Sequence, residues 1–216
     1  MKPIYVVGSG PVDPLPFYHQ YFEKNAFIIA VDGGANLLNQ LKIVPNLAMG
    51  DFDSITKVTD SWLLKNQVER IVFPREKDFS DFELVCQKII SSFSPSPVKL
   101  FCMQGGRSDH FLFNLIVAEE LFNHGFIPMF QSYLEDIYFI NQNNPAKLIG
   151  TVGDIVSLIP TQNSVLIHQT IGLKYCLWDE ELTKFITRGL SNEIIQTDVY
   201  VSVKEGTALL ILNRRG

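Results

Sequence analysis

The sequence predicts an α/β fold: an N-terminal doubly wound, mostly parallel sheet with helices on both faces, followed by a C-terminal all-β sandwich. Up to about residue 131, short apolar runs alternate with amphipathic stretches, and the runs are apolar on both faces, as parallel strands covered by helices require. After residue 134 the helical texture gives way to apolar runs punctuated by Asn, Gly and Pro, the mark of strands joined by hairpin turns. With 216 residues, 46% of them hydrophobic and 12% aromatic, the chain can bury one large core or two modest ones without covalent staples.

In chain order, the predicted strands of the first region are Ile4–Gly8, Phe27–Asp32, Leu47–Met49, Arg70–Phe73, Lys99–Met103 and Pro128–Gln131. Helices are expected between them at Pro16–Glu23, Gly34–Leu41, Thr59–Asn66, Asp81–Ser92 and Asp109–Asn123. In the last of these, Phe111, Leu115, Ala118 and Phe122 recur every three or four residues as one buried stripe, and Gly125 supplies a stop. The second region reads as strands at Ile137–Ile140, Ile155–Ile159, Ser164–Ile167, Val199–Val203 and Ala208–Leu212. We therefore expect an α/β domain over residues 1–133 and a β-sandwich domain over 134–216. The boundary falls near Tyr133–Asn144, where Asn141-Gln142-Asn143-Asn144-Pro145 is a loop signal.

Composition narrows the function classes. The net charge of −5, with Lys and Arg scattered, disfavours a nucleic-acid surface and points to a small ligand. No stretch reaches transmembrane length, and Met1-Lys2-Pro3-Ile4-Tyr5-Val6-Val7 suits a first strand better than a signal peptide, so a cytoplasmic protein is expected. Cys86, Cys102 and Cys176 each sit in an apolar stretch without C-x-x-C spacing and read as buried, reduced thiols.

Two acidic clusters carry the chemistry. Gly50-Asp51-Phe52-Asp53-Ser54 follows a predicted strand, at the carboxyl end where open α/β sheets bind ligands. Asp51 and Asp53 alternate, and on an extended segment they project to the same side, where their repulsion calls for a cation or hydrogen bonds. The plain alternative is a polar turn capping the next helix. In Lys77-Asp78-Phe79-Ser80-Asp81, Ser80 and Glu83 form an S-x-x-E capping box, which leaves Asp78 and Asp81 at a helix N-terminus favourable to phosphate, with Lys77 beside them. Four carboxylates near loop residues make an oxygen-rich cage suited to Mg²⁺ on phosphate oxygens.

Two further turns join them. Gln104-Gly105-Gly106-Arg107-Ser108-Asp109-His110 opens a helix with glycines that admit a ligand, a guanidinium fork in Arg107 and another carboxylate in Asp109. Ser108 or Asp109 as a plain N-cap, and His110 as a hydrogen-bonded core residue, are the competing readings. Asp32-Gly33-Gly34-Ala35-Asn36 could admit a nucleotide, with Asp32 and Asn36 as hydrogen-bonding groups. Gly8-Ser9-Gly10 lacks the third glycine of a dinucleotide fingerprint, because position 13 is Asp, and Walker and nucleophile-elbow motifs are absent.

With Gly189-Leu190-Ser191-Asn192-Glu193, these segments occur in an order that resembles the thiamine pyrophosphokinases, in their bacterial branch, over nearly the full length. The resemblance implies an α/β catalytic domain binding nucleotide and metal, a β-sandwich for thiamine binding and dimerisation, and a homodimer with active sites at the interface. It implies transfer of a diphosphoryl group from ATP to the thiamine hydroxyl, giving thiamine diphosphate and AMP, with Mg²⁺ as cofactor. On this basis Asp51, Asp53 and Asp81 are the expected metal ligands, and Asp78, Arg107 and Asp109 complete the catalytic set. Asp32, Gly33, Gly34, Asn36, Lys77, Ser80, Gly106 and His110 are expected around ATP, and Ser191 and Asn192 on the aminopyrimidine of thiamine.

Ser80 stands where the family usually has Thr. Ala208–Leu212 offers only aliphatics where the animal branch places a Trp against thiamine, which leaves the aromatic wall unassigned; Trp178 could serve, but a Trp at the edge of a β-domain is more often core. The alternatives are a pyrophosphokinase acting on a hydroxymethyl-pterin, a metal-dependent phosphohydrolase, and a non-catalytic nucleotide or thiamine sensor.

Overall fold

The structure, a computed structural model, describes residues 2–22, 25–76 and 78–215. It divides into two compact units, Met1–Ser132 and Tyr133–Gly216.

In the first unit, strands β1 (Ile4–Val7), β2 (Phe27–Val31), β3 (Leu47–Gly50), β4 (Glu69–Val72), β5 (Pro97–Phe101) and β6 (Ile127–Gln131) alternate with helices α1 (Leu15–His19), α2 (Gly34–Leu41), α3 (Lys57–Lys65), α4 (Asp81–Ser92) and α5 (Ser108–Asn123). The strands pair in parallel in the order β6-β5-β1-β2-β3-β4. All four residues of β1 and of β3 are buried, which explains their unbroken apolar character. β4 at the edge carries Glu69 and Arg70 and is partly exposed, as an unpaired edge tolerates. Strand order reverses between β1 and β5, so a crevice opens at the carboxyl ends of this sheet.

Helices fall where apolar periodicity places them, with one difference. α1 ends at His19, earlier than the predicted Glu23, which itself lies outside the described residues. Packing of α2 depends on Gly34, where a Cβ would come within 2.0 Å of the Val7 carbonyl oxygen, so only glycine lets the helix start so close to β1. Of the stripe expected on α5, Ala118 and Phe122 are buried and are joined by Leu121, whereas Phe111 and Leu115 are only partly covered.

The second unit comprises β7 (Glu135–Asn141), β8 (Ala146–Ile149), β9 (Ile155–Pro160), β10 (Ser164–Ile171), β11 (Trp178–Thr183), β12 (Asn192–Glu193), β13 (Asp198–Glu205) and β14 (Thr207–Asn213). Its strands form two antiparallel layers, β12-β9-β14-β7 and β11-β10-β13-β8, whose inner residues share one core. The Asn141–Pro145 loop signal marks the β7–β8 turn, where the Asn141 Oδ1 accepts from the amides of Asn143 and Asn144.

Three strands escaped the sequence reading: β8, short and directly behind that turn; β11, whose Asp179, Glu180 and Glu181 mask any apolar alternation; and β12, two residues long. Trp178 is 68% exposed, which overturns its assignment to the core. Cys176 is likewise exposed, in the loop between β10 and β11, while Cys86 and Cys102 are buried as expected. Cys176 reads as buried from its apolar neighbours and Trp178 from the usual burial of a Trp in a β-domain, but the ends of hairpins project side chains to solvent whatever their polarity.

Candidate active site

Loops leaving the carboxyl ends of β1, β2, β3 and β5, with the N-terminus of α4, enclose a cleft of about 750 Å³. Asp32, one residue past β2, donates its amide to the Met49 carbonyl at 2.8 Å, which seats it beside the loop that follows β3. Gly50 permits this approach, since a Cβ there would stand 3.0 Å from the Asp32 Cβ. As a result, carboxylate oxygens of Asp32, Asp51 and Asp53 lie within 4.8 Å of one another.

Local geometry brings Asp51 and Asp53 together differently from the extended segment we expected. Phe52 adopts a left-handed backbone, φ +60°, and the Asp53 amide donates to Asp51 Oδ1 at 3.0 Å, so the two carboxylates meet across a tight turn. Such a conformation costs an L-residue about 1–2 kcal/mol. Ser54 Oγ donates to Asp53 Oδ1 at 2.9 Å, and Arg75 Nη2 stands 3.4 Å from Asp53 Oδ2.

Asp32 has its pKa raised, first by burial and further by the charges of Asp51 and Asp81, against which the neighbouring Ser54 hydroxyl acts. Its Oδ1 is buried without a hydrogen-bond partner. An all-oxygen, anionic donor set with an unsatisfied oxygen suits a hard divalent cation, so the residues present fit Mg²⁺.

Asp81, Ser80, Gly106, Arg107 and His110 line the same cleft. Ser80 Oγ accepts from the Glu83 amide at 3.1 Å as the N-cap of α4, in agreement with the capping pattern. On α5 the N-cap is Arg107 and makes no side-chain capping bond, so neither Ser108 nor Asp109 caps this helix. Arg107 instead engages Asp109 with Nε at 3.1 Å and Nη2 at 2.5 Å. These hydrogen bonds pull the Asp109 carboxyl down to about 2 and raise the Arg107 pKa. His110 is exposed, which sets aside its reading as a core residue.

Other expected residues stand elsewhere. Asn36 donates to the Ser54 carbonyl and accepts from the Thr56 amide, both at 3.0 Å, and so ties α2 to the loop after β3. Gly33, Gly34, Asp53, Asp78 and Asp109 are not among the residues that line the cleft, although Asp53 stands beside Asp32 and Asp51, and Lys77 lies outside the described residues. In the second unit, the Ser191 amide donates to Ser157 Oγ at 3.1 Å, and Asn192 clasps the Tyr175 backbone, accepting from its amide at 3.0 Å and donating to its carbonyl at 2.6 Å.

Several cleft residues were missed, among them Gly8, Ser9 and Gly10, whose turn is set aside with the dinucleotide fingerprint, and also Arg75 and Cys102. Arg75 carried no signal beyond its nearness to the second acidic cluster. Cys102 lines the wall with its thiol 3.2 Å from the Tyr18 hydroxyl, and burial pushes its pKa up to about 11, so it is not poised as a nucleophile.

The sequence model of the thiamin pyrophosphokinase catalytic domain matches residues 18–127, which include most of the residues lining this cleft. The chain belongs to the thiamin pyrophosphokinase family. The family's vitamin B1 binding domain model matches residues 141–208. The chain is similar to a thiamine pyrophosphokinase of Bacillus subtilis (strain 168), at 29% identity over 219 residues and 98% of each chain. Among solved structures it resembles thiamine pyrophosphokinase from Bacillus subtilis, with TM-score 0.88, 24% identity and 100% of each chain covered. It also resembles yeast thiamin pyrophosphokinase, with TM-score 0.76, 17% identity and 98% and 86% covered. The α/β fold followed by antiparallel β structure is thus the fold of this family, and the chain is a diphosphotransferase of this kind. The pterin-directed and sensor alternatives are not favoured.

Proposed function

We propose that this chain transfers the β- and γ-phosphoryl groups of ATP to the primary hydroxyl of thiamine, with Mg²⁺, giving thiamine diphosphate and AMP. The observation that carries the reading is the convergence of Asp32, Asp51 and Asp53, the first two lining the cleft, within the span matched by the family's catalytic model. In this reaction the hydroxyl oxygen forms a bond to the β-phosphorus, the bond from that phosphorus to the α–β bridging oxygen breaks, AMP departs with that oxygen, and the hydroxyl proton is lost. No enzyme nucleophile takes part.

Asp51 and Asp53 would hold the cation, with Asp32 as a third oxygen donor and Asp81 close enough to raise the Asp32 pKa. When bound, Mg²⁺ supplies neutralisation of phosphate charge. Arg107, once it exchanges Asp109 for phosphate oxygens, stabilises negative charge on the transferred group or on AMP. Gly106, Ser80 and His110 border the nucleotide, and Asp78 and Asp109 serve at the rim. Asp32, Gly33, Gly34 and Asn36 shape the nucleotide side of the cleft, the last two by holding α2 in place.

Residues 1–133 form the nucleotide- and metal-binding domain, and 134–216 the thiamine-binding and dimerising one. Support for the second assignment comes from the vitamin B1 binding model, whose span includes Ser191 and Asn192, the groups assigned to the aminopyrimidine. A homodimer is supported by exposed apolar side chains that water alone covers poorly: Leu112, Phe113 and Ile116 on α5, and Phe185, Ile186 and Leu190 in the second unit. A cytoplasmic location is supported by the buried free thiols of Cys86 and Cys102. Among the described residues no helix is long and apolar enough to cross a membrane.

The deciding experiment incubates purified protein with Mg-ATP and thiamine and separates the products. AMP and thiamine diphosphate appearing in equal amounts is the expected result. Release of phosphate or pyrophosphate irrespective of thiamine would overturn the assignment.

A further inference from the structure

The turn that joins Asp51 to Asp53 is gripped from outside the cleft. Arg70, on the edge strand β4, lays its guanidinium over the Phe52 ring with 4.3 Å between the guanidinium carbon and the ring centroid. Its Nη1 donates to Asp60 Oδ1 on α3 at 2.8 Å, and its Nε is buried with no hydrogen-bond partner. The arginine is therefore anchored at one end by a carboxylate and committed at the other to a ring face. The Phe52 ring, in turn, packs against the core of the first unit. A left-handed backbone at a bulky residue persists only where its surroundings over-determine it. Here the surroundings are that core on one side and Arg70 on the other.

We propose that Arg70 is a positioning residue for the divalent cation: stacked on Phe52 and tied to Asp60, it holds the left-handed turn that sets the Asp51 and Asp53 carboxylates beside Asp32. This inference rests on the cation reading above. Arg70 is not among the residues that line the cleft; it acts through Phe52. The guanidinium charge is already paired with Asp60. Arg70 also lines, with Phe52, Ile55 and Asp60, a separate shallow depression rather than the catalytic cleft.

The test is direct titration of the full chain with Mn²⁺ as a probe of the cation site, followed by calorimetry or by the loss of free-Mn²⁺ paramagnetic signal, with no nucleotide present. Arg70→Met, which keeps the aliphatic stem, and Phe52→Leu, which keeps the apolar anchor, are each expected to weaken Mn²⁺ binding by about 10-fold, as outer supports of metal ligands do. The double variant should bind no more weakly than the worse single one, since both remove the same contact. Arg70→Lys, which retains a cation over the ring, should fall between wild type and Arg70→Met. In turnover assays Arg70→Met should raise the Mg²⁺ concentration for half-maximal rate while kcat at saturating Mg²⁺ stays near wild type, a split that general loosening of the fold would not produce.

Mn²⁺ affinity of Arg70→Met and Phe52→Leu equal to wild type, or effects that multiply in the double variant, would overturn the positioning role. If the wild-type chain binds no Mn²⁺, or if Asp51→Asn leaves binding unchanged, the cation reading itself fails and takes this inference with it. Loss in Asp51→Asn alongside wild-type affinity in Arg70→Met removes the inference alone.

Discussion

Arg107 and Asp109, two residues apart at the mouth of the cleft, form a forked ion pair in which Nε and Nη2 each meet one carboxylate oxygen. Both side chains are largely exposed, 72% and 58%, so the pair adds little to stability and its interest lies in exchange. A guanidinium already presented as a fork can trade carboxylate for phosphate without reorganising. Arg107→Ala should lower kcat/KM by about 10²-fold, whereas Asp109→Asn, which frees the fork, should alter the ATP KM only a few-fold. Steady-state kinetics with varied ATP checks both. The hydrogen bonds from Arg107 depress the Asp109 pKa to about 2. Because the folded value lies below the unfolded one, the pair is intact above the ordinary carboxylate range and is lost only as pH falls toward 2. The pair should therefore contribute no inflection to the pH–rate profile between about pH 5 and 9.

Asp32 behaves in the opposite sense. Burial and the neighbouring Asp51 and Asp81 charges raise its pKa, so the folded state binds that proton more tightly than the unfolded chain does. Its contribution favours folding at low pH and is lost as pH rises from the unfolded value through the folded one. Asp32→Asn should raise the melting temperature of the metal-free protein at pH 7 by a few degrees and leave it nearly unchanged at pH 4. Added Mg²⁺ should raise the melting temperature of wild type more than that of the variant. Thermal scans at the two pH values, with and without Mg²⁺, supply the measurement.

Asp51 and Asp78 stand in the two acidic clusters, but they differ in place. Asp51 lines the cleft and belongs to the three-carboxylate group, whereas Asp78 is exposed and is not among the lining residues. Asp51→Asn should reduce kcat by about 10²-fold or more. For Asp78→Asn a smaller loss is expected, and equal losses in the two variants would contradict the arrangement described here. Initial rates at saturating substrates, over a range of Mg²⁺, make the comparison.

Gly34 has no catalytic duty in this picture, yet its replacement should be costly. A Cβ 2.0 Å from the Val7 carbonyl oxygen cannot be accommodated by a side-chain shift, because the obstructing atom is backbone. Gly34→Ala should destabilise the protein by about 1–3 kcal/mol, as overpacking does, and be read as a lowered urea midpoint at unchanged slope.

Much of this molecule was legible in one dimension. The limits of α2 and α4 follow from apolar spacing, and Ser80 announced its own N-cap, because these are interactions among residues three or four apart. Strand-to-helix turns bearing Asp32, Asp51 and Arg107 were recognisable for the same reason. Where reading failed, the deciding contacts were distant in sequence. β11 is a strand through its ladder to β10 despite its charges, and Trp178 and Cys176 are exposed because of where the hairpin ends. His110, for which a core position was one reading, is exposed and lines the cleft although its helix is rich in apolar residues.

The order of elements, the acidic turns and the family resemblance were determined by the sequence itself, since each rests on short-range patterns that survive without a fold. Tertiary structure decided that β2 lies next to β3, and hence that Asp32 rather than Asp81 completes the tight carboxylate group with Asp51 and Asp53. It also decided that the turn between those two aspartates is left-handed and braced by an arginine from another strand. Neighbours in a parallel sheet are selected by packing between segments far apart in the chain, and no local pattern encodes which carboxylates that packing will bring together.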